Sequence, residues 1–454
     1  MKRDLIQGNP TKLIISFFFP VLLGNLFQQF YNIVDTIVVG RFISVNALAA
    51  VGSTGSLNFM VMGFVLGMCN GFSIPIANYF GARDMQNVRK CIANIIYLSV
   101  GTVIVLTVGT MLGLRSILVL MDTPADIFDD AYIYLQIIFA GIGVMMFYNV
   151  LANISRALGD SRTPLYFLII SSILHVIMDI VFIVVFKLGV ASIGVATVLS
   201  QAVSGILCFV YMKKKFPEIA LNKSDMRPDR KMMAHLLFMG IPMALQFSIT
   251  AFGSVILQSA INSFGSVAVA TIVSASKVQL ILTQPMEAMG ATMATYCSQN
   301  LGARRLDRVK EGIKKSLMLT AIFAVAGTTI ALLFGTQMGY MFIDKGQTEI
   351  LEGMRVYFTC VTPFFIALGS LLVFRNAVQG LGYALPAMAA GIFEMIARSL
   401  VAFVAVNWFG FMAVCFANPA AWTAANILLI PVYLRVYSKL EESVLPPDTT
   451  EKTA

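Results

Sequence analysis

Apolar residues run unbroken for about 20 positions or more at a time along this chain, with polar residues collected into short intervals between the runs. A surface helix of a soluble protein would repeat its apolar positions every 3.6 residues, and a half-buried strand would alternate. Neither pattern describes these runs. Their length matches a helix crossing the hydrocarbon layer of a bilayer, whereas the strands of a membrane barrel would be shorter and alternating. The pattern predicts twelve transmembrane helices, over 13–39, 53–79, 91–120, 132–157, 164–187, 189–212, 234–262, 268–299, 315–342, 350–374, 385–408 and 410–437. The longest polar interruption, "KKKFPEIALNKSDMRPDRK" at 213–231, falls at mid-chain. The organisation expected is an N-terminal lobe over 1–212, a cytoplasmic linker over 213–233, a C-terminal lobe over 234–438 and a cytoplasmic tail over 439–454. The fold class is therefore an all-α polytopic membrane protein.

The two halves repeat each other. "FGARDMQNVRKCI" from residue 80 answers "LGARRLDRVKEGI" from residue 301, an offset of 221. "RALGDSRTP" at 156 answers "QGLGYALP" at 379, and "LGVASIGVA" at 188 falls opposite "FGFMAVCFA" at 409. Each half holds six spans, an even number, so both enter the membrane in the same direction. The expected arrangement is two six-helix lobes related by a pseudo-two-fold axis along the membrane normal.

Composition agrees: 58% of residues are hydrophobic and only 12% charged, with a mean hydropathy of +0.82, far from an ordinary soluble domain. The net charge of +9 does not point to nucleic acid, because the basic residues lie in the loops between spans. Of the 32 Lys and Arg, 25 fall on the side that holds both termini, five on the other, and Lys277 and Arg398 within spans. Basic loops stay in the cytoplasm, so both termini are expected inside a multi-pass protein of the cell membrane. The opening "MKRD" precedes a span too long for a signal-peptide core, and no small-residue cleavage site follows, so an uncleaved first helix is expected. The six cysteines lack metal-ligand spacing and read as packed thiols. A GxxxxGK[ST] phosphate loop is missing, and with His175 and His235 the only histidines an HExxH zinc helix is too. No enzyme activity and no cofactor are expected.

The candidate chemistry lies in ionisable residues within spans: Asp35, His175, Asp179, Lys277, Glu287, Glu394 and Arg398. Such groups are costly in lipid, face a protein interior or aqueous cavity, and mark substrate or ion pathways. Glu394 and Arg398 are four apart on one helix and can pair directly, as a structural ion pair or as part of a substrate cavity. Lys277 and Glu287, ten apart, need other partners, and Lys277 can snorkel. Asp35 and Asp179 have no basic neighbour in their own spans except His175. At 1.5 Å per residue Asp35 lies about 33 Å along its helix and Asp179 about 22 Å beyond Pro164, both in the outer half of the membrane. His175 and Asp179 share a helical face, and Asn149 and Thr197 complete an expected polar cluster in the first six helices. Two carboxylates in so apolar a setting disfavour full ionisation, so the cluster is expected to exchange a proton near neutral pH, which His175 can share. Pro20, fifteen residues before Asp35, removes a mid-span hydrogen bond and should bend the first helix. Gly63, Gly67 and Gly71 on one face permit close helix packing.

Together, "FPVLLGNLFQQFYNIVDTIVVGRF" in the first span, "GAR" after the second and eighth spans and "RALGDSRTPL" entering the fifth make the chain resemble the MATE (multidrug and toxic compound extrusion) family over nearly its whole length. The resemblance implies a monomeric secondary antiporter, embedded in membrane lipid, that exports small organic cations or drugs against inward proton or sodium flow by alternating access. Asp35 matches the first-helix aspartate of that family and Pro20 its helix-bending proline. Asn149, Asp179 and Thr197 match the cation-site positions of its DinF-like branch. That branch usually has Asn where this chain has His175, a poorer sodium ligand that also titrates. The coupling ion expected is therefore a proton, with sodium at Asp35 and Asp179 as the alternative. The sodium-coupled branch carries acids in the seventh and tenth spans; here the seventh has none and the tenth has only Glu349 and Glu352, at its outer mouth. A flippase for lipid-linked precursors would need a strongly basic cavity, for which only Lys277 and Arg398 stand within spans.

Overall fold

A computed structural model describes residues 4–343 and 346–444. Lys345, expected on the outer side, and the last ten residues of the expected tail lie outside the described residues. The described chain is helical, without strands. It divides into two compact units, the first taking 19–76 and 84–251, the second 4–18, 77–83 and the described residues from 252 onward.

The first unit contains most of α1 (Pro10–Phe42), the short α2 (Val45–Ser53), most of α3 (Gly55–Gly81), then α4 (Met85–Leu120), α5 (Phe128–Ala140), α6 (Ile142–Ala157), α7 (Arg162–Val184) and α8 (Ala191–Lys215). It ends in the first two-thirds of α9 (Arg230–Asn262). The second contains the rest of α9, α10 (Ser266–Gly302), α11 (Leu306–Gly339), α12 (Thr348–Val361), α13 (Phe365–Gly380), α14 (Ala384–Leu400), α15 (Val406–Phe409) and α16 (Phe411–Val444). Eleven helices or continuous helix pairs are long and apolar enough to cross a membrane. The twelfth span is the pair α5 and α6, bent by 47°. Twelve membrane helices result, but the expected straight span at 132–157 breaks at Gly141. A Cβ on Gly141 would lie 2.3 Å from a methyl of Val198 on α8, so the break sits where a side chain of α8 packs directly against the backbone.

The repeat is visible in the backbone. Pro20 lies inside α1 and Pro242 inside α9, 222 residues apart. The glycine of each "GAR" motif has a steric reason. A Cβ on Gly81 would lie 2.0 Å from the Gln299 carbonyl oxygen, and one on Gly302 would lie 1.9 Å from that of Asn78. The ends of α3 and α10 thus touch reciprocally through backbone. Arg83 and Arg304 follow in the left-handed region, at φ 61° and 56°, closing the two turns alike. In the first unit, Gly67 and Gly71 press on α9: added Cβ atoms would meet the Cα of Ala244 and of Gly240 at 2.5 Å. The close packing expected of that stripe is present.

The mid-chain polar segment is pinned to α4. Arg89 Nε donates to Asp225 Oδ2 at 3.1 Å, the Asp229 amide donates to Asn94 Oδ1 at 2.9 Å, and the Tyr97 hydroxyl donates to the Met226 carbonyl at 2.7 Å. All six cysteines are free and buried, as the spacing implied.

Candidate functional site

α7 presents Ser171, His175 and Asp179 inward at four-residue spacing, because its lipid-side positions (Ile170, Ile173, Ile177, Ile180) are all bulky and apolar and are exposed. α1 brings Asp35 to this stripe and α8 brings Thr197. His175 Nδ1 lies 3.3 Å from Asp35 Oδ1 and 3.2 Å from Asp179 Oδ2. On its other side, His175 Nε2 is 3.0 Å from Thr197 Oγ1. The Tyr31 ring, one turn before Asp35, meets the imidazole edge-on at 4.7 Å between centroids. Tyr134 of α5, buried, lies within electrostatic reach of both carboxylates.

Burial separates the members: the side chains of His175 and Asp179 are each 1% exposed and that of Asp35 17%. Asp35 is therefore the least enclosed member of the cluster. Ligand atoms of Asp35, His175 and Asp179 all fall within 4.8 Å of one another. Yet Asp35 Oδ1, both oxygens of Asp179 and His175 Nδ1 are sealed from solvent without a well-aligned hydrogen bond. Two carboxylates this close in a dry setting need a compensating positive charge, which can be a proton on one of the three groups or a bound monovalent cation. If the Thr197 hydroxyl donates to Nε2, the imidazole N–H is at Nδ1 and faces both acids. Donors for a sodium ion exist in the carboxylates and the Thr197 hydroxyl, but the imidazole sits among them and is a poor ligand for a hard cation.

Four of the expected N-lobe residues are thus together: Asp35, His175, Asp179 and Thr197. Asn149 is on α6, half-buried, and donates its amide to the Met145 carbonyl at 2.8 Å. Among the described residues no hydrogen bond links it to the acids. Pro20 lies within α1, which continues through it as one helix. Tyr31 and Tyr134 were not foreseen. Tyr31 was legible, being four residues before Asp35 on the same face; nothing near Tyr134 in sequence marks it.

In the second unit the pair Glu394–Arg398 forms at 3.4 Å as the spacing allowed. It has a third member, Arg375 of α13, whose Nη2 is paired with the other Glu394 oxygen. By sequence, Arg375 falls one residue beyond the expected span 350–374 and so counts among the 25 basic residues on the side of the termini. It is instead inside a helix and 8% exposed, because α13 runs on to Gly380 rather than ending at 374. Glu287 is exposed and lies within electrostatic reach of Arg375. Lys277 is also exposed and holds its ammonium over the Phe342 ring, 5.2 Å from the centroid.

Twelve membrane helices in two units, with a buried cluster of two acids and a histidine that no Lys or Arg pairs with among the described residues, define a polytopic membrane transporter. The MatE family model matches the chain twice, over residues 20–181 and 242–404, and the chain belongs to that family. The two matches begin at the two repeat-related prolines. "Probable multidrug resistance protein YoeA" of Bacillus subtilis is 25% identical over 433 residues, 93% of each chain. "Multidrug export protein MepA" of Staphylococcus aureus is 22% identical over 459 residues, 97% of this chain and 96% of that one. Among solved structures, "Crystal structure of MATE in complex with MaL6" superposes with a TM-score of 0.90 at 21% identity, covering 96% of this chain and 98% of that one. The twelve-helix, two-lobe fold is that of these transporters.

Proposed function

We propose that the chain is a secondary antiporter that exports organic cations and drugs in exchange for protons, by alternating access. The names of its relatives support multidrug export. The observation that carries the proton is the imidazole of His175 held between Asp35 and Asp179. A proton entering through Asp35 neutralises the cluster and favours one packing of α1 against α7 and α8, with Pro20 as the point where α1 yields. Substrate favours the other packing, and competition between the two couples the fluxes. The protein works as a monomer in the cell membrane, surrounded by lipid, with both termini cytoplasmic, and catalyses no covalent step.

The test is export of a fluorescent cation from proteoliposomes under separately imposed pH and sodium gradients. A pH gradient alone should drive export, and Asp35→Asn should abolish it while leaving a folded, inserted protein. Undiminished export by Asp35→Asn would sink the proposal. Sodium coupling is the second reading, favoured by the carboxylate oxygens gathered within 4.8 Å of each other; export driven by sodium and indifferent to pH would establish it instead.

A further inference from the structure

The segment that leads into α1 is non-helical, yet it is held firmly in the second unit. Leu5 is 2% exposed, and Ile6 is buried with it. The Leu5 amide donates to Gln299 Oε1 at 2.9 Å, and Asn300 Nδ2 donates to the Leu5 carbonyl at 3.2 Å. Arg308 Nη1 donates to the Gly8 carbonyl at 2.9 Å, and Arg83 pairs with Asp4. The turns after α3 and α10 thus build one seat for this segment. From the seat the chain continues as α1 and passes into the first unit after Phe18. The segment 221 residues later, Asp225–Asp229, leads into α9 in the same way. It is seated on α4 in the first unit by Arg89, Tyr97 and Asn94, and α9 passes into the second unit after Ala251. The repeat therefore makes two straps, each fastened in one unit and continued as a helix that ends in the other.

The two seats differ in how well their charges are met. Arg89 has the Asp225 carboxylate on Nε and the Glu218 carbonyl on Nη1. Arg308, 8% exposed, has only the amide oxygens of Asn300 and Gly8. No carboxylate pairs with it among the described residues, and its Nη2 is sealed from solvent without a partner. A buried guanidinium left in that state gains hydration when its cover leaves, which favours opening of this seat over the other. The ion pair that closes the seat is weak for a second reason: Arg83 is 53% exposed, so water screens its attraction to Asp4. We propose that Asp4–Gly8 is a latch, which leaves its seat and returns in each transport cycle while Asp225–Asp229 stays fastened. This rests on the chain being an alternating-access transporter, since only a cycle that rearranges the two units requires a strap shared between them to yield.

Thiol labelling of the full-length protein in detergent reads the opening without any ion gradient, since the native cysteines are all buried. Leu5→Cys should react with a maleimide more slowly than a cysteine replacing the exposed Lys223, yet to completion. Gln299→Leu should speed that reaction by about tenfold, the scale of one hydrogen bond. Asp4→Asn, which disturbs no buried side chain, should speed it less. In proteoliposomes, a short bifunctional thiosulfonate joins Asp4→Cys to Arg83→Cys, or Asp225→Cys to Arg89→Cys. Joining the first pair should stop export of a fluorescent cation until a reducing agent is added, and joining the second should leave export unchanged. Undiminished export with the first pair joined overturns the proposal, as does an equal loss from both pairs. A Leu5→Cys thiol that never reacts, or that reacts as fast as one at Lys223, overturns it too. If no gradient drives export by the unaltered protein, the antiporter reading fails by itself, and the thiol rates still decide whether the latch opens.

Discussion

His175 distinguishes this site from a plain pair of buried acids. Its Nδ1 occupies the space between Asp35 and Asp179 where a cation would otherwise sit, and Thr197 holds the other ring nitrogen. If export is proton-driven as proposed, His175→Asn should lower it by about tenfold or more, the scale of one hydrogen bond to a charged group. The same variant should gain a response to a sodium gradient, because an amide oxygen is a harder ligand. Unchanged proton drive with no sodium response would show that the imidazole does not set the ion. Thr197→Val removes the partner of Nε2 and should cost about 1 kcal/mol of stability, read as a lower unfolding temperature in detergent. Thr197→Ser should restore both the stability and the pH profile of export.

Among the elements, α3 and α9 show what small residues are for. Gly71→Ala places a methyl 2.5 Å from the Gly240 Cα, where only backbone can yield. The expected cost is about 1–3 kcal/mol, measurable as a drop in thermal unfolding temperature. Gly101→Ala in α4 is the control, since nothing lies within 4 Å of an added Cβ; it should be neutral or stabilise the helix by up to about 1 kcal/mol. A similar loss from both would contradict the packing argument. The glycine stripe of α3 was legible from spacing alone. The break at Gly141 was not, because it answers Val198 on α8, 57 residues away, and the local run of apolar residues is continuous there. The short α2 (Val45–Ser53), capped by Ser44, was also missed because nine residues are too few to register as a span.

For the whole molecule, the basic loops lead to the expectation of cytoplasmic termini, and a cysteine scan tests it directly, since the native cysteines are all buried. With both termini inside, a cysteine replacing the exposed Lys223 in the mid-chain segment should react with a membrane-impermeant maleimide only after permeabilisation. One replacing the exposed Lys187, between α7 and α8, should react in intact cells. The reverse pattern would invert the topology. The count of basic residues is not disturbed by moving Arg375 into the second unit's interior, because one residue among 25 does not reverse a bias that large.

What the amino-acid order alone determined is local in origin: the membrane spans, their number, the two repeated halves, and the few acids and bases too costly to place in lipid. Each follows from a run length, a period or a charge read within one segment, and the bilayer imposes it on any chain of this composition. The tertiary structure decided which of those groups meet. Asp35 and His175 are 140 residues apart, and Arg375 and Glu394 belong to different helices. Side chains on separate helices come within 3–4 Å only through the packing of those helices, which no single segment encodes. For the same reason Arg375 could not be recognised as buried from its own neighbours. Its position depended on how far α13 extends and on Glu394 waiting for it in α14.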